Sequence, residues 1–247
     1  MRVRLIACEV LYRELCWAVA RSPNQVDVEF LPKALHDQGG SCQRVRLQEC
    51  IDAVDPASCD AICLGYGLCN LGTAGLIART VPLVLPRAHD CLTLLLGSRE
   101  AYQRWFDANP GTYLLSSGWL ERGGKGLDQR QLVGPPGSGL DKTYAQLVEK
   151  YGADNAAYLW ETLDPHAKYS AVDFVAMGIE PDGRFAQQAE AVAQERGWRF
   201  TARDGSLALI SRLVDGPWDE DFLVVPPGSR IVHHADQRII GAEPCPV

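Results

Sequence analysis

Cys8, Cys69, His89 and Cys91 are the residues whose types and positions point to chemistry. Each follows a short apolar run that reads as a strand. Residues 3–7 precede Cys8, and residues 60–64 precede Gly65-Tyr66-Gly67-Leu68-Cys69. Residues 81–85 precede Pro86-Arg87-Ala88-His89-Asp90-Cys91. Open α/β sheets bind ligands beyond the carboxyl ends of their strands. Parallel neighbours lie about 5 Å apart, so loops leaving adjacent strands can bring such side chains together. Thiolate with imidazole favours zinc, iron or an iron–sulfur centre over magnesium or calcium. Three thiols and one imidazole would close a structural zinc site. Fewer protein ligands would leave a position for water or substrate. Cys91 falls in the first turn of a predicted helix, where the helix dipole favours the thiolate. Arg87 and Arg99 could add positive charge nearby.

The same residues admit a metal-free reading, with Cys91 as nucleophile and His89 as its base. They also admit a bland one, a buried histidine among packed cysteines. Spacing alone leaves all three open. Further candidates surround them. Glu9 could serve as general acid or base, as could Glu14. Tyr66 lies in the glycine turn, and Arg87 could hold an anionic group of a substrate. Asp90 flanks the expected ligands, and Tyr113, Trp119 and Glu121 fall beyond the fifth strand on the side where a pocket should lie. Gly65, Gly67 and Gly72 do not form a dinucleotide fingerprint, and no phosphate loop is present; a tight turn with a close backbone approach is expected instead. Cys16, Cys42, Cys50, Cys59 and Cys63 read as small buried hydrophobes. No Cys-x-x-Cys pair supports a zinc ribbon or a thioredoxin motif. His233-His234 reads as an exposed pair, and His36 and His166 have no evident partner.

Strands and helices alternate along the chain. Strands are expected at residues 3–7, 26–31, 60–64, 81–85 and 112–116, the last as a fifth strand. Helices are expected at residues 9–20, near the end of 35–51, at 70–79 and from 89 to 106. This rhythm predicts an α/β fold with a parallel, doubly wound sheet. A second, smaller α/β lobe should follow, with a long helix at 143–163, strands at 172–177, 198–203 and 222–225, and helices at 185–196 and 207–213. The expected division is an N-terminal lobe at 1–120, a flexible glycine- and proline-rich loop at 121–141, and a C-terminal lobe at 142–247. The cleft between the lobes is where a site is expected.

The chain of 247 residues is 47% hydrophobic and 22% charged, which suffices for a buried core. Its net charge of −7 argues against nucleic acid as the main partner. No stretch reaches the roughly 18 apolar residues of a membrane span. The opening apolar run ends early at Glu9, unlike a signal peptide, so a cytoplasmic location is expected.

The sequence resembles the bacterial and archaeal domain-of-unknown-function family sixteen thirty-eight. The resemblance is carried by Ile6-Ala7-Cys8-Glu9-Val10-Leu11, by Leu64-Gly65-Tyr66-Gly67-Leu68-Cys69 and by Pro86-Arg87-Ala88-His89-Asp90-Cys91. It continues through Gly118-Trp119, Lys150-Tyr151-Gly152 and Phe222-Leu223-Val224-Val225-Pro226-Pro227-Gly228. It implies that Cys8, Cys69, His89 and Cys91 act as one group. The family brings no settled activity or cofactor. Its members are often associated with genes for corrinoid-dependent methyl transfer from methylated amines. The expectation is therefore a zinc- or iron-dependent enzyme, a transferase or lyase acting on a small molecule in one-carbon metabolism. A corrinoid or methyltransferase protein is a candidate partner. The alternatives are a metal or corrinoid-related carrier without turnover, and a metal-free cysteine enzyme.

Overall fold

A computed structural model describes residues 1–37, 40–122, 142–164 and 167–246. The chain begins with β1 (Arg2–Cys8), a single turn of 3-10 helix at Glu9–Leu11, α1 (Tyr12–Val19) and β2 (Gln25–Leu31). Then come α2 (Ala34–Asp37), α3 (Gly40–Asp52), β3 (Ala61–Gly65), β4 (Leu83–Pro86), α4 (Cys91–Leu96) and α5 (Arg99–Ala108). β5 (Thr112–Ser116) and α6 (Ser117–Arg122) lead to α7 (Tyr144–Tyr151), α8 (Ala153–Thr162), β6 (Ala171–Ala176), α9 (Arg184–Glu195) and β7 (Arg199–Asp204). The chain closes with α10 (Ala208–Asp215), β8 (Phe222–Val225), β9 (Ser229–His233) and β10 (Ile240–Pro244).

The fold is mixed α/β, built on a mostly parallel five-stranded sheet ordered β2-β1-β3-β4-β8. β3 and β4 are buried at every position, as expected of strands covered on both faces. One face packs on α1, α4 and α10 through Leu5, Leu15, Leu94 and Leu213. The other packs on α3 and the β9–β10 hairpin through Ile6, Leu47, Leu64 and Ile231. A second, three-stranded parallel sheet runs β5-β6-β7, with α9 on it through Phe185 and Ala189. The cores are continuous, because Leu114 and Val175 of the second sheet pack with α1 and α10.

The strand assignments differ from the sequence expectation at two places. β5, expected as a fifth strand of the first lobe, pairs with β6 from Thr112↔Ala171 to Ser116↔Val175. β8, expected in the second lobe, pairs antiparallel with β4 from Leu83↔Val225 to Pro86↔Phe222. Both strands are short and apolar, so their patterns name a strand but not its partner.

Helix expectations also shift. The long helix at 143–163 is two helices, broken at Gly152 with φ 79° and ψ 162°, a conformation open to glycine. No helix forms at 70–79. Cys69, Asn70 and Leu71 instead take positive φ values of 45°, 55° and 65°. The β9–β10 hairpin was not anticipated. Residues 123–141, most of the expected loop, and His166 lie outside the described residues. No helix among the described residues is long and apolar enough to cross a membrane.

Candidate functional site

The carboxyl ends of β2, β1, β3 and β4 lie side by side in that order, with Cys8 opposite Leu31 and Ala7 opposite Gly65. The segments leaving them build one pocket. Pro32 and Lys33 come from the end of β2, and Cys8 and Val10 from the end of β1. Gly65, Tyr66 and Cys69 follow β3, and Cys91 follows β4. Leu35 and Gln43 close one side, and Trp119 of α6 closes the other. The walls enclose about 390 Å³, mouth included.

Cys69 and Cys91 meet because pairing continues past the ends of β3 and β4. The N–H of Leu68 donates to the carbonyl of Ala88 at 2.8 Å, and that of Cys69 to His89 at 2.9 Å. Gly67 permits this approach, since a Cβ there would lie 2.7 Å from the Asp90 backbone. The chain then turns back through the left-handed run at Cys69–Leu71. Three consecutive non-glycine residues in this region cost about 1–2 kcal/mol each. The run is held by the Gly72 N–H on the Cys69 carbonyl at 2.9 Å and the Thr73 hydroxyl on the Gly67 carbonyl at 3.2 Å. Backbone strain of this size persists where the surroundings over-determine it, often at a ligand site.

Three of the four expected ligand residues, Cys8, Cys69 and Cys91, therefore line one pocket. The fourth does not. His89 lines a separate cleft of about 1350 Å³, mouth included, with Thr93, Arg99, Tyr102, Asp107 and Asp236. Asp90 takes an extended conformation and caps α4, its carboxylate accepting the Leu92 N–H at 3.0 Å. The change from extended to helical backbone there breaks the alternation that would keep residues 89 and 91 on one side. Among the described residues, no group of three or more His, Cys, Asp or Glu side chains is arranged to hold a metal ion.

The thiols are far from ordinary. Burial pushes Cys69 up to about 12, helped by the nearby charges of Cys8 and Asp90. Cys91 is pushed well up by burial, then by Asp90, Cys69 and Cys8, with the Trp119 indole opposing the rise. The helix dipole expected to favour a Cys91 thiolate is outweighed by desolvation and by the Asp90 carboxylate. Arg87 and Arg99 add no charge here. Arg87 donates to the carbonyls of Arg238 and Ile240, pinning the approach to β10. Arg99 donates to the Gln237 carbonyl at 3.0 Å.

Of the expected catalytic residues, Tyr66 is in the pocket. It is buried, and its hydroxyl has no hydrogen-bond partner among the described residues. Glu9 does not itself line the pocket; its Oε1 accepts the Lys33 backbone N–H at 2.8 Å. Two pocket residues escaped the sequence reading. Lys33 is 8% exposed, and its ammonium stands 5.1 Å over the Trp119 ring. The carboxyl-end rule, applied to β2 as well, would have pointed to it. Gln43 is 1% exposed, and neither amide atom has a partner among the described residues. Nothing in its helical neighbourhood marked it. An unsatisfied buried polar group costs about 1–3 kcal/mol, so Gln43 and Tyr66 together mark an unusual site.

Residues 30–214, more than half of the chain, match the family described as Protein of unknown function (DUF1638). The chain belongs to this family. The DUF1638 match takes in Lys33, Gln43, Tyr66, Cys69, Cys91 and Trp119, but Cys8 precedes it. No curated protein and no solved structure matches the chain.

Glu14, the other acidic candidate, lies on α1 behind the pocket. It is fully buried, with the Ser117 hydroxyl donating to Oε1 at 3.4 Å and Oε2 unpartnered. Burial raises its pKa from 4.5 to about 7, and the charge of Glu180 adds to the rise. The folded state thus binds this proton more tightly than the unfolded chain. The stability this one group contributes is fully present below about pH 4.5 and is lost as pH rises through about 7. Glu14→Gln should remove this slope and gain stability at pH 8, by at most about 3 kcal/mol. Urea melts of both proteins at pH 5 and pH 8 measure it; equal pH slopes would refute the assignment.

Proposed function

We propose that Cys8, Cys69 and Cys91 hold one zinc or iron ion in this pocket, and that the protein is an enzyme acting there on a small molecule. The observation that carries this reading is the convergence of three thiols from three adjacent strand ends on one concave wall. Among the described residues, no carboxylate lines that pocket. A soft donor set of this kind suits zinc or iron. Coordination asks the three side chains to turn further inward and to release their protons to solvent as the ion enters. Three protein ligands would leave a fourth position for substrate, as catalytic zinc sites do. Lewis-acid activation at that position is the chemistry such an ion supplies. His89 has no place in this ligand set. Transfer or elimination of a one-carbon group, with a corrinoid protein as partner, remains the reaction class suggested by the family resemblance.

The metal-free cysteine reading is weaker. Its nucleophile is held protonated by burial, and its base faces another cleft.

Anaerobic purification followed by elemental analysis tests the proposal. About one zinc or iron per chain is expected, with about three sulfur neighbours near 2.3 Å for zinc by X-ray absorption. An iron–sulfur centre would absorb in the visible, whereas zinc is colourless. Cys69→Ser and Cys91→Ser should lose the metal. Cys63→Ser should keep it, because Cys63 is buried elsewhere, donating to the Leu213 carbonyl at 3.3 Å. Metal-free protein, or metal retained in both pocket variants, rules the proposal out.

A further inference from the structure

What the three-cysteine pocket presents to a ligand is carbon and sulfur. The Tyr66 hydroxyl, both amide atoms of Gln43 and the Trp119 indole nitrogen belong to residues of its wall, yet all are shut away from solvent. The indole nitrogen is turned to the Cys91 sulfur. The rest of the lining comes chiefly from Cys8, Cys69, Cys91, Val10, Pro32 and Leu35. Lys33 does not change this, because its ammonium is held over the Trp119 ring at 5.1 Å. The neighbouring carboxylates are occupied elsewhere: Asp90 caps α4, and Glu9 accepts the Lys33 backbone N–H.

A lining of this kind selects against charge. An ammonium or a carboxylate brought inside loses its water and meets little accessible polar surface in return, and an uncompensated buried charge is costly. An alkyl group gains from the same burial. Two features of the wall single out sulfur among uncharged ligands. Sulfur packs favourably against aromatic rings, and Tyr66 and Trp119 supply two. An ion held by three thiolates also takes a further soft donor readily. The size is limited too, since the walls enclose about 390 Å³ with the mouth included, room for a small molecule only.

We propose that the substrate of this pocket is a small uncharged thiol or thioether, which enters by its alkyl–sulfur end. This rests on the pocket being the working site and names what it acts on, but the preference for uncharged ligands does not require the metal. Such a substrate needs no anion-holding residue. That agrees with Arg87, expected in that role, being spent on the carbonyls of Arg238 and Ile240.

Anaerobic titration calorimetry on the full chain tests this with three thiols that differ in their tails: ethanethiol, the cationic 2-aminoethanethiol and the anionic mercaptoacetate. All three offer the same sulfur, so the bare affinity of a metal for thiols does not produce a preference for the uncharged one. Ethanethiol should bind, and the two charged thiols should bind about a hundredfold more weakly or not at all. Leu35 is a half-buried residue of the wall. Leu35→Glu adds a carboxylate there and should erase the preference for ethanethiol over 2-aminoethanethiol. A melting curve shows whether that variant is folded; if it is not, the ranking of the three thiols by the parent decides alone. Metal content measured on the same samples separates this from the preceding proposal. Selective binding of ethanethiol by metal-free protein would overturn the metal alone. Metal-loaded protein that binds no thiol, or binds all three alike, would overturn the uncharged sulfur substrate alone. Metal-free protein that binds none would overturn both.

Discussion

Asp173→Ala is expected to destabilise the protein by about 3–5 kcal/mol, the range for breaking a buried ion pair. Asp173 lies on β6, the central strand of the second sheet, and is 2% exposed. Its Oδ2 accepts the Trp105 indole N–H at 2.8 Å and the Arg203 Nε–H at 2.7 Å, with a second Arg203 nitrogen at 2.6 Å. One carboxylate oxygen thus ties α5, β6 and β7 together. Truncation leaves the buried indole N–H without an acceptor and strips Arg203 of its counter-charge. The Arg203 side chain is 28% exposed and can recruit water, which favours the lower end of the range. Asp173→Asn keeps an acceptor for Trp105 and loses only the charge, so it should cost less than the alanine variant. Thermal melts decide it: a fall of roughly 10 °C is expected for alanine in a chain of this length. Equal, small shifts for both substitutions would show that the charge network contributes nothing.

Gly118→Ala should be nearly as damaging, and for a steric reason. Gly118 lies in α6, and a Cβ there would sit 1.7 Å from the Val10 carbonyl oxygen and 2.6 Å from its carbon. Those are backbone atoms of the single turn that follows Cys8, so no side chain can rotate out of the way. The helix must back off. Overpacking of this kind costs about 1–3 kcal/mol and sometimes more. The effect should also reach the pocket, because the next residue is Trp119, which lies beside the Cys91 sulfur and under Lys33. The expected result is a lower melting temperature together with altered Trp fluorescence and weaker ligand binding. A variant that melts and binds like the parent would show that α6 has freedom to shift.

The pocket was partly legible in the sequence because it obeys a rule of position. Short apolar strands at 3–7, 60–64 and 81–85 end just before Cys8, Gly65 and Pro86, and the carboxyl ends of parallel strands are where α/β proteins bind ligands. Adjacency of β1, β3 and β4 then brought the three cysteines to one wall. His89 was misplaced because side-chain direction depends on where the helix starts, a matter of one residue at Asp90. Arg87 was misplaced because its partners, the carbonyls of residues 238 and 240, come from a hairpin with no strong strand signature. Gln43 gave no signal at all. Its significance lies in having no partner, and a sequence records residues without recording what they fail to touch.

The return of β8 to the edge of β4 has a consequence for how the chain is made. Everything from β5 to α10 is laid down between two strands that hydrogen-bond to each other. A nascent chain that has finished β4 presents an apolar strand with one side open, and it waits for well over a hundred residues before its cover emerges. An exposed strand edge is a template for unwanted pairing, and contacts between distant segments form late. The three-stranded sheet has all its strands by β7, before the strand that covers this edge has been made.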